Sequence, residues 1–363
     1  MERTWLEVNL DNIIENYFNY KKFLGNNHEI IAIVKANAYG HGDVEVAKAL
    51  HSVGVKCFAV ASAEEAIKIR KSGITGDILV LGFTPIDKIK ELNDLGISQA
   101  VYCEEYADAI LGTQVPIKVH IAVDTGMNRI GFNIGDISKL IETVKYYATK
   151  LNTVGIFTHL SAADVSHIDY TNQQLYRFKQ VLSVFSNFNF EYVHYLNSAG
   201  GILLKDKENT FVRAGIVLYG LKPYMEVELP YKLKPALIWK ARVCMVKEVE
   251  ADNYIGYGLT YKTEKRTKIA TVSVGYADGY AFSLSNKGRV KINGQTAKII
   301  GRVCMDYFMV DVTHIDKVNL HDEVVLLDED YTADNMAMDS GTIGYEVICS
   351  ISNRVRRKHI KQN

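Results

Sequence analysis

The chain has 363 residues, 48% of them hydrophobic, enough for one large core or two ordinary ones. Its 42 acidic and 42 basic side chains cancel, and no long basic block appears, so sustained attraction to nucleic acid or to an anionic membrane surface is not indicated and small-molecule chemistry is expected. Cys57, Cys103, Cys244, Cys304 and Cys349 are scattered, with no CxxC pair and no adjacent histidine cluster, which argues against a metal site or a disulfide framework and for reduced thiols.

The opening MERTWLEVNLDNI has neither a basic n-region nor an apolar h-region, and no apolar run approaches the ~20 residues that span a bilayer. A cytoplasmic protein is expected. An abrupt start into ordered-looking sequence is also how a domain excised from a longer chain begins, and a membrane domain preceding residue 1 would then hold this one at the cytosolic face of the cell membrane. From about residue 28 to 220, short Val- and Ile-rich runs alternate with amphipathic segments. The runs are EIIAIVKA, KCFAVAS, DILVLGF, QAVYC, PIKVHIAVDTG, TVGIFTHL, EYVHYLNS and FVRAGIVLYG. Parallel strands buried on both faces read this way, and eight β/α units favour a closed α/β barrel of the TIM type over an open sheet, assigned to residues 1–228. After YGLKPY the rhythm changes to LIWKARVCMVKEVEA, KIATVSVGYA, GRVKINGQTAKIIG, CMDYFMVDVT and DEVVLLDE, punctuated by Asn293-Gly294 and Asp252-Asn253. These predict hairpins and a C-terminal β-rich domain over 229–363.

Barrel enzymes place their chemistry where strands end on the C-terminal face. Lys35 ends the first barrel strand behind the apolar IIAIV, a setting that favours the neutral amine able to condense with a carbonyl; a lysine snorkelling at a strand end is the plainer alternative. Other strand ends carry Asp124, Asn128 and Arg129, then His159, then Asn197 and Ser198, then Arg213. Each alone could be a satisfied core or loop residue, but polar groups closing so many strands of one barrel point to a site. Backbone N–H groups at Gly215 and Ile216, with the Ser198 hydroxyl and the Tyr39 phenol, suit a phosphate.

The stretches VKANAYGHG, DTGMNRIGF, THLSAAD, LNSAG, VRAGIVLYGL, GYGLTY, VGYADGY, GRVCMDYFMVDVT and GTIGYEVICSISNRVRR resemble, in order and over essentially the whole chain, the motifs of the alanine racemase family. The resemblance implies a barrel of pyridoxal-phosphate fold type III with a β domain, bound pyridoxal 5'-phosphate, amino-acid substrates, and a homodimer whose active sites lie between the barrel of one subunit and the β domain of the other. It implies that Lys35 holds the cofactor and acts on one face of the substrate α-carbon, while Tyr257 of the other subunit acts on the opposite face. By the same resemblance Arg213 faces the pyridine nitrogen, His159 flanks the ring, and Tyr39, Ser198, Gly215 and Ile216 hold the phosphate. Arg129 approaches the phenolic oxygen, the Met305 N–H receives the substrate carboxylate, and Tyr276 and Asp306 line the approach from the partner subunit.

Two positions depart from the family pattern. Ala122 stands where many members carry a carbamylated lysine bracing the motif's arginine, so Arg129 needs another acceptor. Asn353 in CSISNRVRR stands where the family resemblance implies a tyrosine near the cofactor phosphate and substrate, and exchanging a phenol for a carboxamide makes room for a hydroxymethyl group and offers it a hydrogen bond. Asparagine there resembles the racemase domain of the membrane-bound serine racemases of vancomycin resistance. The expectation is therefore racemisation of serine as well as alanine, supplying D-amino acid for modified peptidoglycan precursors, because a pocket that accepts one seldom excludes the other by more than about 10 to 200-fold. The alternatives are a plain alanine racemase for cell-wall synthesis and a non-catalytic pyridoxal-phosphate carrier; a barrel decarboxylase lacks its cysteine motif.

Overall fold

Strand β1 (Thr4–Asn9) leads directly into helix Leu10–Leu24, whose first turn is capped by the Asn9 carboxamide accepting from the Asp11 and Asn12 N–H groups. The computed structural model describes residues 1–132, 135–164, 168–204, 210–224 and 228–361. Eight parallel strands follow: β2 (His28–Ile33), β3 (Cys57–Val60), β4 (Asp77–Val80), β5 (Ile97–Val101), β6 (Lys118–Ala122), β7 (Asn152–Phe157), β8 (Tyr192–Asn197) and β9 (Thr210–Ala214). They are the eight apolar runs of the sequence, in order. Each pairs with the next and β9 returns to β2, so the sheet closes and leaves no edge. Cys57–Val60 and Ile97–Val101 are buried along their whole length, as strands sandwiched between a filled barrel interior and an outer helical ring must be.

The second sheet contains β10 (Leu237–Val249), β11 (Thr267–Val272), β12 (Arg289–Ile292), β13 (Gln295–Ile300), β14 (Phe308–Asp311), β15 (Glu323–Leu327) and β16 (Arg356–Ile360). Asn293 and Gly294, with φ of 50° and 76°, make the two-residue hairpin between β12 and β13. Asp252 also turns left-handed, φ 65°, but it starts a long connection carrying Tyr257 rather than a tight hairpin. One correction concerns the N-terminus. The division at 228/229 groups β1 with the barrel, whereas β1 hydrogen-bonds antiparallel to β10 and parallel to β16, inside the second sheet. Buried Trp239 fixes this arrangement by donating its indole N–H to the Thr4 hydroxyl at 2.9 Å.

The two parts join through residues 216–236. Fully buried Asn16 donates to the carbonyls of Leu218 (3.2 Å) and Lys234 (2.8 Å) and accepts from the Lys234 N–H (2.9 Å), stapling the returning chain to the barrel's end. Gly220 makes that return possible, because its φ is +81° and a Cβ there would strike the Lys234 carbonyl. Among the described residues no helix is long and apolar enough to cross a membrane. Substituting Gly220→Ala is expected to lower stability by about 2–4 kcal/mol, from left-handed strain plus overlap. Urea unfolding followed by tryptophan fluorescence checks this; an unchanged midpoint would mean that the junction relaxes freely.

Candidate active site

Beyond β2 the backbone turns left-handed. Ala36, Asn37, Ala38 and Tyr39 have φ between 52° and 54° with no glycine among them, although an L-residue held so costs roughly 1–2 kcal/mol. The turn is knitted by Ala38 N–H to the Val34 carbonyl (2.9 Å), Gly40 N–H to Ala36 (2.9 Å) and Gly42 N–H to Asn37 (2.8 Å). It places Lys35 and Tyr39 on the wall of one cavity of about 510 Å³ at the C-terminal mouth of the barrel. Burial depresses the Lys35 pKa, and the nearby Arg129 charge adds to the effect.

Arg213, on β9, is 4% exposed yet also reaches this cavity. One terminal nitrogen donates to His194 Nδ1 (2.8 Å) and the His194 carbonyl (2.9 Å); the other donates to the Thr158 carbonyl (2.8 Å) and His159 Nδ1 (3.0 Å). The Nε–H takes no part in these bonds and is the donor left for a ligand. Because a guanidinium only donates, both histidines must accept at Nδ1 and carry their proton on Nε2. His194 Nε2 then meets His120 Nδ1 at 3.0 Å, extending the chain of neutral rings into the barrel core. Burial, then the Arg213 charge, holds His159 and His194 well below the ordinary histidine pKa. Burial and the Arg129 charge push Arg213 down to about 9, so it remains a cation at neutral pH.

At the other end of the cavity, the Ser198 hydroxyl accepts the Gly215 N–H at 3.0 Å, and Asn197 caps the following turn by accepting from Gly200 N–H at 2.8 Å. A Cβ on Gly215 would come within 2.6 Å of the Tyr39 hydroxyl, so the gap between these groups exists only with glycine. Burial raises the Tyr39 pKa, which keeps the phenol a donor. Arg129 follows a loop shaped by Asp124, whose carboxylate accepts from Gly126 N–H (2.9 Å) and Asn128 N–H (3.1 Å). Arg129 makes no hydrogen bond among the described residues, and Ala122 offers it only a methyl group on the cavity wall.

Lys35, Tyr39, Asp124, Arg129, His159, Asn197, Ser198, Arg213, Gly215 and Ile216 thus line one cavity. Tyr257, Tyr276, Met305, Asp306 and Asn353 do not. Tyr257 is 72% exposed on the second domain, in a separate depression of about 430 Å³ with Cys304 and Tyr307. Tyr276 and Met305 are exposed beside each other, joined by Tyr276 N–H to the Cys304 carbonyl (3.0 Å) and Ala277 N–H to the Met305 carbonyl (3.0 Å), and Asp306 pairs with Arg354 at 2.7 Å.

Asn353 requires a correction. It lies exposed in the turn after helix Gly344–Ser350 and does not line the cavity of its own subunit. The tyrosine of that motif which reaches the cavity is Tyr345, 6.2 Å from the Tyr39 ring between centroids. Tyr345 and Cys349 were not singled out from the sequence, although their spacing of four on a helix puts both on one face.

The donor set fits pyridoxal phosphate. A depressed lysine suits a carbonyl, paired hydroxyls and a glycine gap suit a phosphate, and a fixed cation with one spare donor suits a ring nitrogen. No group of three His, Cys, Asp or Glu side chains among the described residues could hold a metal.

Comparison with known proteins agrees with this geometry. The family described as "Alanine racemase, N-terminal domain" matches residues 8–223, and "Alanine racemase, C-terminal domain" matches 236–359. The chain is 44% identical over 373 aligned positions to a protein named alanine racemase from Clostridium perfringens (strain SM101 / Type A), covering 99% of this chain and 96% of that one. It is 42% identical to one from Carboxydothermus hydrogenoformans, covering 99% and 100%. Among solved structures, the alanine racemase of Clostridium difficile 630 superposes with a TM-score of 0.94 at 37% identity, covering 100% of this chain and 97% of that one. The Bacillus anthracis alanine racemase with bound L-Ala-P superposes with a TM-score of 0.91 at 37% identity, covering 99% and 95%.

The buried rings also fix an acid response. Burial holds His41 at about 4 and His120 at about 3, against ~6.5 in an unfolded chain. Their contribution to stability is complete above pH ~6.5 and is lost as pH falls below it, since only the unfolded state then gains the protons. Each ring neutral at pH 5 is expected to cost about 2 kcal/mol relative to pH 7. Urea midpoints at pH 7 and pH 5 check this, and equal midpoints would count against neutral buried rings.

Proposed function

The chain belongs to the alanine racemase family, a pyridoxal-phosphate-dependent family of amino-acid racemases, and from that premise we propose that it interconverts L-alanine and D-alanine for cell-wall synthesis in a cavity completed by a second subunit. The observation that carries the reading is the convergence of Lys35, Tyr39, Ser198, Arg213 and Gly215 from separate strand ends on one cavity. The bound cofactor supplies an electron sink for the charge left when the substrate α-proton departs.

Lys35 provides the amine that holds the cofactor and carries a proton at Nζ on one side of the α-carbon; its depressed pKa suits both tasks. Tyr39 and Ser198, with their hydroxyls, and Gly215 and Ile216, with their backbone N–H groups, would hold the phosphate. Arg213, a permanent cation with its Nε–H uncommitted in the bonds above, would face the ring nitrogen and, by disfavouring its protonation, would limit side reactions. His159 would flank the ring, and Arg129 would approach its phenolic oxygen. Racemisation needs a second group that can take and return a proton on the opposite face, and burial pushes the phenols of Tyr39 and Tyr345 up, disfavouring the phenolate that would take one. Tyr257 is exposed among Leu259, Tyr276, Phe282, Met305 and Tyr307, an apolar face suited to an isologous dimer contact. There Tyr257 serves the partner's cavity, with the Met305 N–H receiving the substrate carboxylate and Tyr276 and Asp306 at the approach.

Serine as a preferred substrate rests on Asn353, which does not line the cavity, whereas the relatives that the chain matches are named alanine racemases. Alanine is therefore the substrate assigned, and a vancomycin-resistance role has no remaining support in these residues. Asn353→Tyr is expected to leave the ratio of L-serine to L-alanine turnover unchanged; a shift above a few-fold would restore the residue to the specificity argument.

The shared site has its own test. Lys35→Ala and Tyr257→Phe proteins are each expected to be inactive in α-proton exchange of L-alanine in deuterium oxide. Mixed and reassociated in equal amounts, they should recover up to about a quarter of wild-type activity, because half of the dimers are mixed and each has one intact site. No recovery from well-folded mixed dimers would place Tyr257 and Lys35 in the same subunit's site.

A further inference from the structure

The left-handed turn after Lys35 has no glycine to ease it, so something outside must hold it. Part of the hold comes from the second domain, where Arg357 donates to the Gly40 carbonyl (3.0 Å) and the His359 ring contacts the His41 carbonyl (2.7 Å). These bonds grip the far end of the turn. Its near end, next to Lys35, is gripped by Glu65 alone among the side chains of the described residues: one carboxylate oxygen accepts the Ala36 N–H at 2.6 Å and the other accepts the Ala61 N–H at 2.8 Å.

Ala61 follows β3 and Ala36 begins the turn after β2, so Glu65 bridges two adjacent strand ends at the cavity mouth. Ser62 and Glu65 have the spacing of an ordinary helix cap, and the Ser62 hydroxyl does accept the Glu65 N–H at 3.4 Å. The Glu65 carboxylate, however, does not close that cap; it leaves its own helix for the Lys35 turn. Each of the two backbone donors meets its own Glu65 oxygen, and a carboxamide in the same pose would turn its NH2 toward one of them.

We propose that Glu65 is a positioning residue for the cofactor lysine: its carboxylate, shared between the Ala36 and Ala61 N–H groups, holds the left-handed turn Ala36–Tyr39 in the form that sets Lys35 and Tyr39 on the cavity wall. The role of those two residues rests on the function proposed above; the clamp on the backbone does not.

Glu65→Ala, Glu65→Gln, Ala36→Gly and the Glu65→Ala/Ala36→Gly double variant test it. Hydrogen exchange by mass spectrometry on the cofactor-free proteins should show faster exchange in residues 34–42 for Glu65→Ala, with the other barrel strands unchanged. The dissociation constant for pyridoxal phosphate, titrated by absorbance, should rise about tenfold for Glu65→Ala, the loss expected for a charge-assisted bond to a backbone donor. Glu65→Gln should fall between, keeping one acceptor and facing one donor with another. Ala36→Gly in the Glu65→Ala background should recover most of the affinity, because glycine takes positive φ without strain, whereas a merely structural role of Glu65 in its helix would not respond to residue 36. Unchanged exchange in residues 34–42, or lost affinity that Ala36→Gly does not restore, would overturn the clamp. Should the wild-type protein bind the cofactor without exchanging the alanine α-proton, the functional reading fails while these comparisons still decide the role of Glu65.

Discussion

Pairing of β9 with β2 closes the barrel, and that closure places the strand ends of the site within reach of one another. Arg213 and Ser198 sit at the ends of β9 and β8, while Lys35 follows β2, so an open sheet of the same strands would put the arginine and the lysine on opposite edges. Closure also provides the low-dielectric interior in which a buried cation organises its surroundings. Arg213 donates into two histidines and three carbonyls, and its inability to accept dictates the tautomer of each ring it touches. Phe157 reinforces this, stacking on His194 at 4.7 Å and lying under the Arg213 guanidinium at 5.5 Å. A cation held so firmly cannot follow a ligand's protonation; the ligand must conform to it.

The second constraint is backbone strain at the lysine. Proteins keep non-glycine residues left-handed only where surrounding contacts over-determine them, and here those contacts come from two directions. The barrel contributes Glu65, and the second sheet contributes Arg357 and His359 from β16, itself anchored by parallel pairing to β1. The second domain therefore serves its own subunit by bracing the Lys35 turn and presents Tyr257 outward to another. Threading β1 between β10 and β16 ties the beginning and end of the chain to this task.

Much of the cavity was legible because a parallel barrel converts strand order into position. Once eight apolar runs are recognised, the residue after each run lies at the C-terminal mouth, and Lys35, His159, Ser198 and Arg213 follow from that rule and the family motifs together. The rule fails beyond the strands. Asn353 and Tyr345 belong to one motif-bearing stretch, and only the helix Gly344–Ser350 decides that Tyr345 faces the cavity while Asn353 stands in the exposed turn after it. Glu65 was hidden for another reason, since a glutamate three residues after Ser62 reads as a routine helix cap.

The sequence by itself determined the barrel, the β-rich sheet and the family, because periodic burial and ordered motifs are local properties written along the chain. Tertiary structure alone decided the rest: that β1 joins the second sheet, that four L-residues turn left-handed after Lys35, and that Arg213 sets a chain of neutral histidines. Each depends on groups far apart in sequence, from Thr4 to His359, meeting at hydrogen-bond distance, and spacing along a chain does not encode which distant acceptor a donor will find.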